Sequence, residues 1–169
     1  LAEAGLLDDR PATTHWMHAP AFRRRFPRVK LHPDVLYVDH GDVLTSALAA
    51  AMLLQPGEKA LVCGGEGVVQ ALQQRGVEPV FDGDADAVVV GFHRTFDFDG
   101  LTCAARAVRR GARLIGTNDD ATYPTPDGPI PGGGSILAAV ETACGLKAEV
   151  AGKPYEAMAA LVRAEVGAD

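Results

Sequence analysis

The stretch that decides the fold runs Arg113-Leu-Ile-Gly-Thr-Asn-Asp-Asp-Ala-Thr-Tyr-Pro-Thr-Pro-Asp-Gly-Pro-Ile-Pro-Gly-Gly-Gly-Ser135. Its first four residues, Arg113 to Gly116, predict a short buried strand. Proline and glycine then exclude regular structure from Tyr123 to Gly134. Ser135 belongs to the residue types that cap helices, so we expect a helix from Ile136 to Cys144. The stretch therefore predicts a strand, a long irregular loop and a helix.

This loop is a candidate anion site. A glycine-rich loop at a helix N-terminus offers free N–H groups and a partial positive charge. Open α/β sheets also bind their ligands at the carboxyl ends of strands. The structural alternative is a plain connection built from turn residues, and the spacing of Lys153 by itself favours an ordinary surface lysine. The candidate anion-binding residues are Thr117, Asn118, Asp119, Gly132, Gly133, Gly134, Ser135 and Lys153.

The rest of the chain alternates strands and helices. Continuous apolar runs at Ala60–Cys63, Ala87–Val90 and Leu114–Gly116 predict central strands that are covered on both faces. The alternation predicts a three-layer α/β fold, flavodoxin-like or Rossmann-like, with a mainly parallel sheet and helices on both faces. Further strands are predicted at Ala12–Trp16, Val29–Leu31, Val35–Val38, Glu78–Phe81 and Ala148–Ala151, and helices at Ala19–Phe26, Gly100–Arg110 and Tyr155–Val166.

Composition excludes several classes of partner. The chain has 169 residues and a formal net charge of −6, which makes it a poor candidate for nucleic-acid binding. No apolar run approaches the length of a membrane span. Cys63, Cys103 and Cys144 are odd in number and widely spaced, which indicates reduced thiols and a cytoplasmic location.

The common catalytic and cofactor motifs are absent or incomplete. Gly64-Gly65-Glu66-Gly67 follows a predicted strand, but Gln70 occupies the third glycine position of a dinucleotide fingerprint. No Gly-x-Ser-x-Gly elbow exists to hold a nucleophile. His15 and His18 lack a matching cysteine or carboxylate cluster, so no metal site is predicted.

One set of short motifs extends over most of the chain. The motifs are Thr45-Ser-Ala47, Val62-Cys-Gly-Gly-Glu-Gly67, Ala87-Val-Val-Val-Gly91, Gly116-Thr-Asn-Asp119, Pro131-Gly-Gly-Gly-Ser135, Ala138-Ala-Val-Glu141 and Gly152-Lys-Pro154. In this order and spacing, residues from about 45 to 167 resemble the NagD-type branch (class IIA) of the haloacid dehalogenase phosphatases. Phosphatases of p-nitrophenyl phosphate, phosphoglycolate and pyridoxal phosphate belong to that branch.

The resemblance implies roles for parts of the chain. Most of the matched stretch would be the cap domain, which covers the active site and selects the substrate. Lys153 would lie where the chain returns to the catalytic core and would steady the phosphoryl group. The family's nucleophile comes from an Asp-x-Asp motif that also binds magnesium. Here that motif occurs only in predicted acidic turns of the cap, at Asp82–Asp84, Asp84–Asp86 and Asp97–Asp99.

The first segment carries a different resemblance. Its motifs are Leu1-Ala-Glu-Ala-Gly-Leu-Leu-Asp8, Ala12-Thr-Thr-His-Trp16, Arg25-Phe-Pro27, Asp34-Val-Leu-Tyr-Val-Asp39 and Gly41-Asp-Val-Leu-Thr-Ser46. They resemble the amidotransferase-like ThiJ/PfpI domain of AraC-type regulators. His15 matches that family's histidine, but the cysteine that accompanies it is absent, so His15 would be vestigial.

Together, the two resemblances predict a recombined or engineered chimera. Residues 1–169 would form one domain made of segments 1–46, 47–151 and 152–169, without catalysis of its own and without a cofactor. Two alternatives stay open: a haloacid dehalogenase-type phosphatase, or a fragment of one, that uses magnesium, and a phosphate or small-anion binding module. Surfaces that have lost their original partners also predict a homodimer.

Overall fold

The computed structural model describes residues 11–12, 19–31 and 45–166, and the chain divides into two compact units, Leu1–Thr45 and Ser46–Asp169. In the first unit, β1 (Pro11–Ala12) pairs in parallel with β2 (Lys30–Leu31), and α1 (Ala19–Arg25) lies between them in sequence. The helix ends before Pro27, as predicted, because proline cannot continue it.

Several expectations for the first unit fall outside the described residues. They are the predicted strand Val35–Val38, the part of Ala12–Trp16 beyond Ala12, and the vestigial His15. The assembly of segments 1–46, 47–151 and 152–169 into one domain stays a prediction.

The second unit contains a five-stranded sheet. Its strands are ordered β4-β3-β5-β6-β9, and every neighbouring pair is parallel. The prediction of a mainly parallel α/β fold with three apolar central strands is therefore confirmed. The elements are α2 (Ser46–Met52), β3 (Lys59–Cys63), α3 (Glu66–Gln74), β4 (Glu78–Val80), β5 (Ala87–Val90), α4 (Phe98–Arg109), β6 (Arg113–Gly116), β7 (Thr122–Tyr123), β8 (Ile130–Pro131), α5 (Gly133–Cys144), β9 (Glu149–Val150) and α6 (Glu156–Val166).

The core lies on both faces of this sheet. On one face, Leu61, Val88 and Leu114 pack with side chains from α4 and α5, among them Val108 and Leu137. The residues that alternate with them along the central strands point to the other face. They are buried as well, which places α2, α3 and α6 on that side, where α2 packs on both α3 and α6.

Two helices begin earlier than the sequence predicts. Helix α5 begins at Gly133 with Gly132 as its N-cap, and Ser135 does not cap it. The Ser135 hydroxyl donates instead to the carbonyl of Ala121, at 2.7 Å. Helix α4 begins two residues before Gly100 because the Asp97 carboxylate accepts a hydrogen bond from the Gly100 N–H at 2.8 Å.

The loop from Tyr123 to Gly134 is not wholly irregular, which corrects the prediction. Strands β7 and β8 form an antiparallel hairpin that pairs Tyr123 with Ile130 and Thr122 with Pro131. Proline is tolerated there because a two-stranded ribbon has an outer side where no N–H donor is needed.

No helix within residues 19–31 and 45–166 combines the length and the apolar character that a membrane span requires.

Candidate functional site

The loops that follow the five strands of the sheet all begin at its carboxyl edge, because parallel strands end at the same edge. The chain runs from β3 to the outer strand β4 on one side and then to β5 on the other. Such a reversal of strand order leaves a crevice at the carboxyl ends, where open α/β sheets bind ligands.

Thr117 and Asn118 lie at the centre of this edge. Thr117 is buried, and its backbone N–H donates to the Val90 carbonyl at 2.8 Å. A Cβ atom at Gly152 would lie 2.5 Å from the Thr117 carbonyl oxygen, and one at Gly133 would lie 2.5 Å from Asn118 Oδ1. The structure therefore brings together three predicted parts of the site: the end of β6, the start of α5 and the turn that contains Lys153.

Asn118 Oδ1 is buried and accepts no hydrogen bond from the residues that the structure describes. Burying an oxygen without a hydrogen bond lowers the stability of the fold. Asn118 therefore indicates that this edge of the sheet is not optimised for stability alone.

The glycines at the start of α5 serve the packing of the loop. The Gly132 N–H donates to the Ala121 carbonyl and the Gly134 N–H to the Asp120 carbonyl, both at 2.9 Å. A Cβ atom at either glycine would overlap the backbone of the loop after β6. These two amides are already engaged, so they offer no free N–H to an anion, and the anion site at Gly132–Ser135 stays a prediction. Lys153 places a cationic side chain at this edge.

Lys153 occupies an exposed turn directly after β9. On its N-terminal side, the Ala151 N–H donates to the Gly116 carbonyl at 2.9 Å. On its C-terminal side, the Tyr155 N–H donates to the Gly152 carbonyl at 2.8 Å. The peptide bond between Lys153 and Pro154 is cis. The turn is thus attached to the end of β6 through the sheet.

Sequence reasoning missed three aromatic residues at this edge. The Tyr155 hydroxyl donates to Asp119 Oδ2 at 2.5 Å, and this hydrogen bond raises the pKa of Tyr155. The Phe92 and Tyr123 rings stack with centroids 5.5 Å apart. The position of Phe92, just after a central parallel strand, was a usable signal. No sequence signal connects Tyr155 with Asp119.

The three Asp-x-Asp pairs have structural roles. Asp86 Oδ2 accepts from the Lys59 N–H at 2.8 Å, at the edge where β3 begins. Asp84 forms an ion pair with Arg110 at 2.9 Å, and Asp97 caps α4. Across residues 19–31 and 45–166, no three His, Cys, Asp or Glu side chains come together as a possible metal site.

Comparison with known proteins gives a consistent result, although no protein-family model matches the chain. The chain is 42% identical over 123 residues to the D-glycerol 3-phosphate phosphatase of Mycobacterium tuberculosis, covering 69% of this chain and 35% of that protein. It is 36% identical over 116 residues to an acid sugar phosphatase of Staphylococcus epidermidis, covering 67% of this chain and 45% of that protein. The homologues of this chain are phosphatases.

The solved structures agree. A glycerol phosphate phosphatase from Mycobacterium tuberculosis, in complex with magnesium, matches with a TM-score of 0.72 and 33% identity, covering 93% of this chain and 47% of that one. These homologues and neighbours are NagD-type haloacid dehalogenase phosphatases, which confirms that part of the resemblance. The chain spans about a third to a half of the length of the curated relatives.

The prediction of a chimera without catalysis of its own is wrong, because the homologues are named phosphatases, which favours the alternative of a phosphatase or a fragment of one. A single phosphatase structure aligns with 93% of the chain, which is more than the Ser46–Asp169 unit alone contains. No second parent is needed, and nothing supports a ThiJ/PfpI segment at residues 1–46. That resemblance rested on short motifs of common residues, so it had little power to distinguish one α/β protein from another.

Proposed function

We propose that this chain works in phosphate-ester hydrolysis, as the substrate-covering sheet and the phosphate-binding lysine of a haloacid dehalogenase-type phosphatase. The observation that carries this proposal is the 42% identity over 123 residues to a D-glycerol 3-phosphate phosphatase. The position of Lys153, in an exposed turn at the carboxyl edge of the sheet, supplies the chemistry.

Lys153 contributes electrostatic stabilisation. An ammonium group is a compact positive charge with three N–H donors, which suits phosphate oxygens. A charge fixed in place before the reaction stabilises the negative charge that develops on the phosphoryl group during transfer.

The substrate class follows from the relatives and from the aromatic pair. The relatives are named for D-glycerol 3-phosphate and for acid sugars, so we propose phosphate monoesters of small polyhydroxylated compounds. The stacked Phe92 and Tyr123 rings offer an apolar surface for the carbon skeleton, and the Tyr123 hydroxyl offers a hydrogen bond.

The attacking group comes from elsewhere in such a phosphatase. Phosphoryl transfer by this route needs a carboxylate nucleophile and a second carboxylate that moves the proton. The Asp-x-Asp pairs of this chain maintain helix and turn geometry instead. We therefore assign the nucleophile to the part of the relatives' length that lies outside the matched stretch.

Magnesium does not fit the residues that the structure describes here, since none of their His, Cys, Asp and Glu side chains form a group of three. These residues bind and cover the phosphate ester, and Lys153 is the group that would contact its charged end.

A graft tests this role. Residues 46–166 would replace the matching stretch of the Mycobacterium tuberculosis phosphatase, and hydrolysis of D-glycerol 3-phosphate would be measured with magnesium. We expect turnover, and we expect Lys153→Ala to lower kcat/KM at least about a hundredfold.

The matched control is Lys147→Ala, which removes a lysine whose side chain is 88% exposed and ion-paired with Glu141. This control should keep the activity of the graft. A folded graft without turnover, or one that Lys153→Ala leaves unchanged, would overturn the proposal.

A further inference from the structure

The Lys153 turn and the loop after β6 are joined by a hydrogen bond between side chains. The Tyr155 hydroxyl donates to Asp119 Oδ2 at 2.5 Å, across 36 positions of sequence. Tyr155 lies two residues beyond Lys153, and Asp119 lies three residues before β7. The bond therefore connects the lysine to the chain that leads into the β7–β8 hairpin.

Backbone hydrogen bonds already hold the turn that carries Lys153, and the Tyr155–Asp119 bond adds to them. The Tyr155 N–H donates to the Gly152 carbonyl at 2.8 Å, which closes the turn around Lys153. The Ala151 N–H donates to the Gly116 carbonyl at 2.9 Å, which attaches the near end of the turn to the end of β6. The Tyr155 hydroxyl attaches the far end to the loop after β6.

We propose that Asp119 and Tyr155 are positioning residues, which hold the Lys153 ammonium at a fixed distance from the substrate-covering hairpin. This inference rests on the proposed function, in which Lys153 contacts the phosphate and the Phe92–Tyr123 pair contacts the carbon skeleton, Tyr123 being part of the β7–β8 hairpin. A hydrogen bond from a neutral hydroxyl to a carboxylate is stronger than one between neutral groups. Small displacements of a binding group also reduce rates strongly, because catalysis depends on orientation.

The test uses the full chain and two measurements. Hydrogen exchange at the Tyr155 amide reports whether the turn is held, and titration with inorganic phosphate, followed at the Lys153 amide, reports binding. We expect Tyr155→Phe to raise the exchange rate and weaken phosphate binding, each about fivefold.

Further variants separate positioning from general stability. Asp119→Ala should match Tyr155→Phe, and the double variant should add nothing, because both remove one interaction. Asp119→Asn keeps an acceptor oxygen without the charge, so its effect should be smaller than that of Asp119→Ala. Asp99→Ala removes an exposed carboxylate from the first turn of α4 and should change neither measurement.

The outcomes decide between the two proposals. Unchanged exchange in Tyr155→Phe overturns the positioning role, whatever phosphate does. Faster exchange with unchanged phosphate affinity assigns the bond to local stability and also overturns it. Phosphate binding that survives Lys153→Ala overturns the proposed function, and with it any positioning toward phosphate.

Discussion

Gly134 has no room for a side chain, because the backbone of Asp119 lies against it. A Cβ atom there would overlap the carbonyl of Asp119, which belongs to the backbone and cannot rotate away. We expect Gly134→Ala to lower the free energy of unfolding by about 1–3 kcal/mol, the usual cost of forcing extra atoms into a packed site. Urea denaturation followed by circular dichroism measures the change.

Gly67→Ala is the matched control. Gly67 lies in α3, and a Cβ atom at this position would have no neighbour within 4 Å. Alanine favours helix over glycine by up to about 1 kcal/mol, so this variant should be neutral or more stable. Equal destabilisation by both substitutions would show that the loop does not press on α5.

Cys63 is the most protected thiol of the three. Burial, and then the charge of Asp97, raises the pKa of Cys63 from 9.0 to about 11. The reactive thiolate is therefore scarce at neutral pH. We expect iodoacetamide to modify the half-buried Cys103 and Cys144 at pH 8 well before Cys63, as followed by mass spectrometry.

The same shift has a consequence for alkaline stability. Between pH 9 and 11 the folded chain keeps a proton that the unfolded chain releases, so the Cys63 contribution to the free energy of unfolding declines as pH rises. Cys63→Ala should remove that part of the decline.

The labelling experiment has its own contradicting outcome. If iodoacetamide modified Cys63 in the folded chain as fast as Cys103 and Cys144, Cys63 would not be buried.

Some residues of the site were accessible to sequence reasoning and others were not. Lys153 and Asn118 follow strands at the carboxyl edge and lie within two of the motifs that carry the phosphatase resemblance, and these two signals together made them candidates. The bond between Tyr155 and Asp119 could not be predicted, because it depends on how two loops 36 positions apart meet in space.

At the scale of elements, Glu141 joins helix α5 to the residues just before strand β9. Its carboxylate accepts from the Ala148 N–H at 2.9 Å and from Lys147 Nζ at 2.6 Å. These hydrogen bonds, the one from Ala148 first, lower the pKa of Glu141. A lowered carboxyl pKa contributes stability above the unfolded-state value of about 4.5, and this contribution is lost as pH falls below it.

Glu141→Gln therefore has a specific signature. We expect the variant to be less stable than the wild type at pH 7 and to lose less stability between pH 5 and 3, as measured by thermal unfolding across that range. Glu149→Gln changes an exposed glutamate of β9 and should leave the acid profile unaltered. Identical pH profiles for wild type and Glu141→Gln would contradict the prediction.

Prediction of the elements succeeded where one signal dominated. The apolar runs of β3, β5 and β6 leave no polar face, so a central position was the only arrangement that buries them. The β7–β8 hairpin was not predicted because the prolines in its sequence favour a loop. Its strands have only two residues each, which is too short to show the alternation of a strand. The predicted start of α5 was wrong because Ser135, although a residue type that often caps helices, donates its hydroxyl to the Ala121 carbonyl instead.

At the scale of the whole molecule, self-association remains a prediction. Phe81 and Phe98 are 67% and 79% exposed, and Phe81 directly follows β4, an outer strand of the sheet. Exposed aromatics beside an open strand edge favour contact with another chain. We expect light scattering at micromolar concentration to give about twice the chain mass of 17.7 kDa.

Phe81→Ser should shift that equilibrium toward the monomer, and Phe98→Ser tests whether α4 takes part. A monomer mass for the wild type throughout the micromolar range would remove the basis for a dimer.

The all-parallel order of the sheet also governs how the chain reaches it. Strand pairing joins Lys59 to Glu78 at the shortest separation and Ile115 to Glu149 at the longest, so no pair of neighbouring strands can form from a tight turn. Each pairing must wait until an intervening helix has brought distant residues together, at an entropic cost that grows with the loop closed. Folding should therefore be slower than that of a helical bundle of the same size, because α3, α4 and α5 must each bridge the separation between two paired strands.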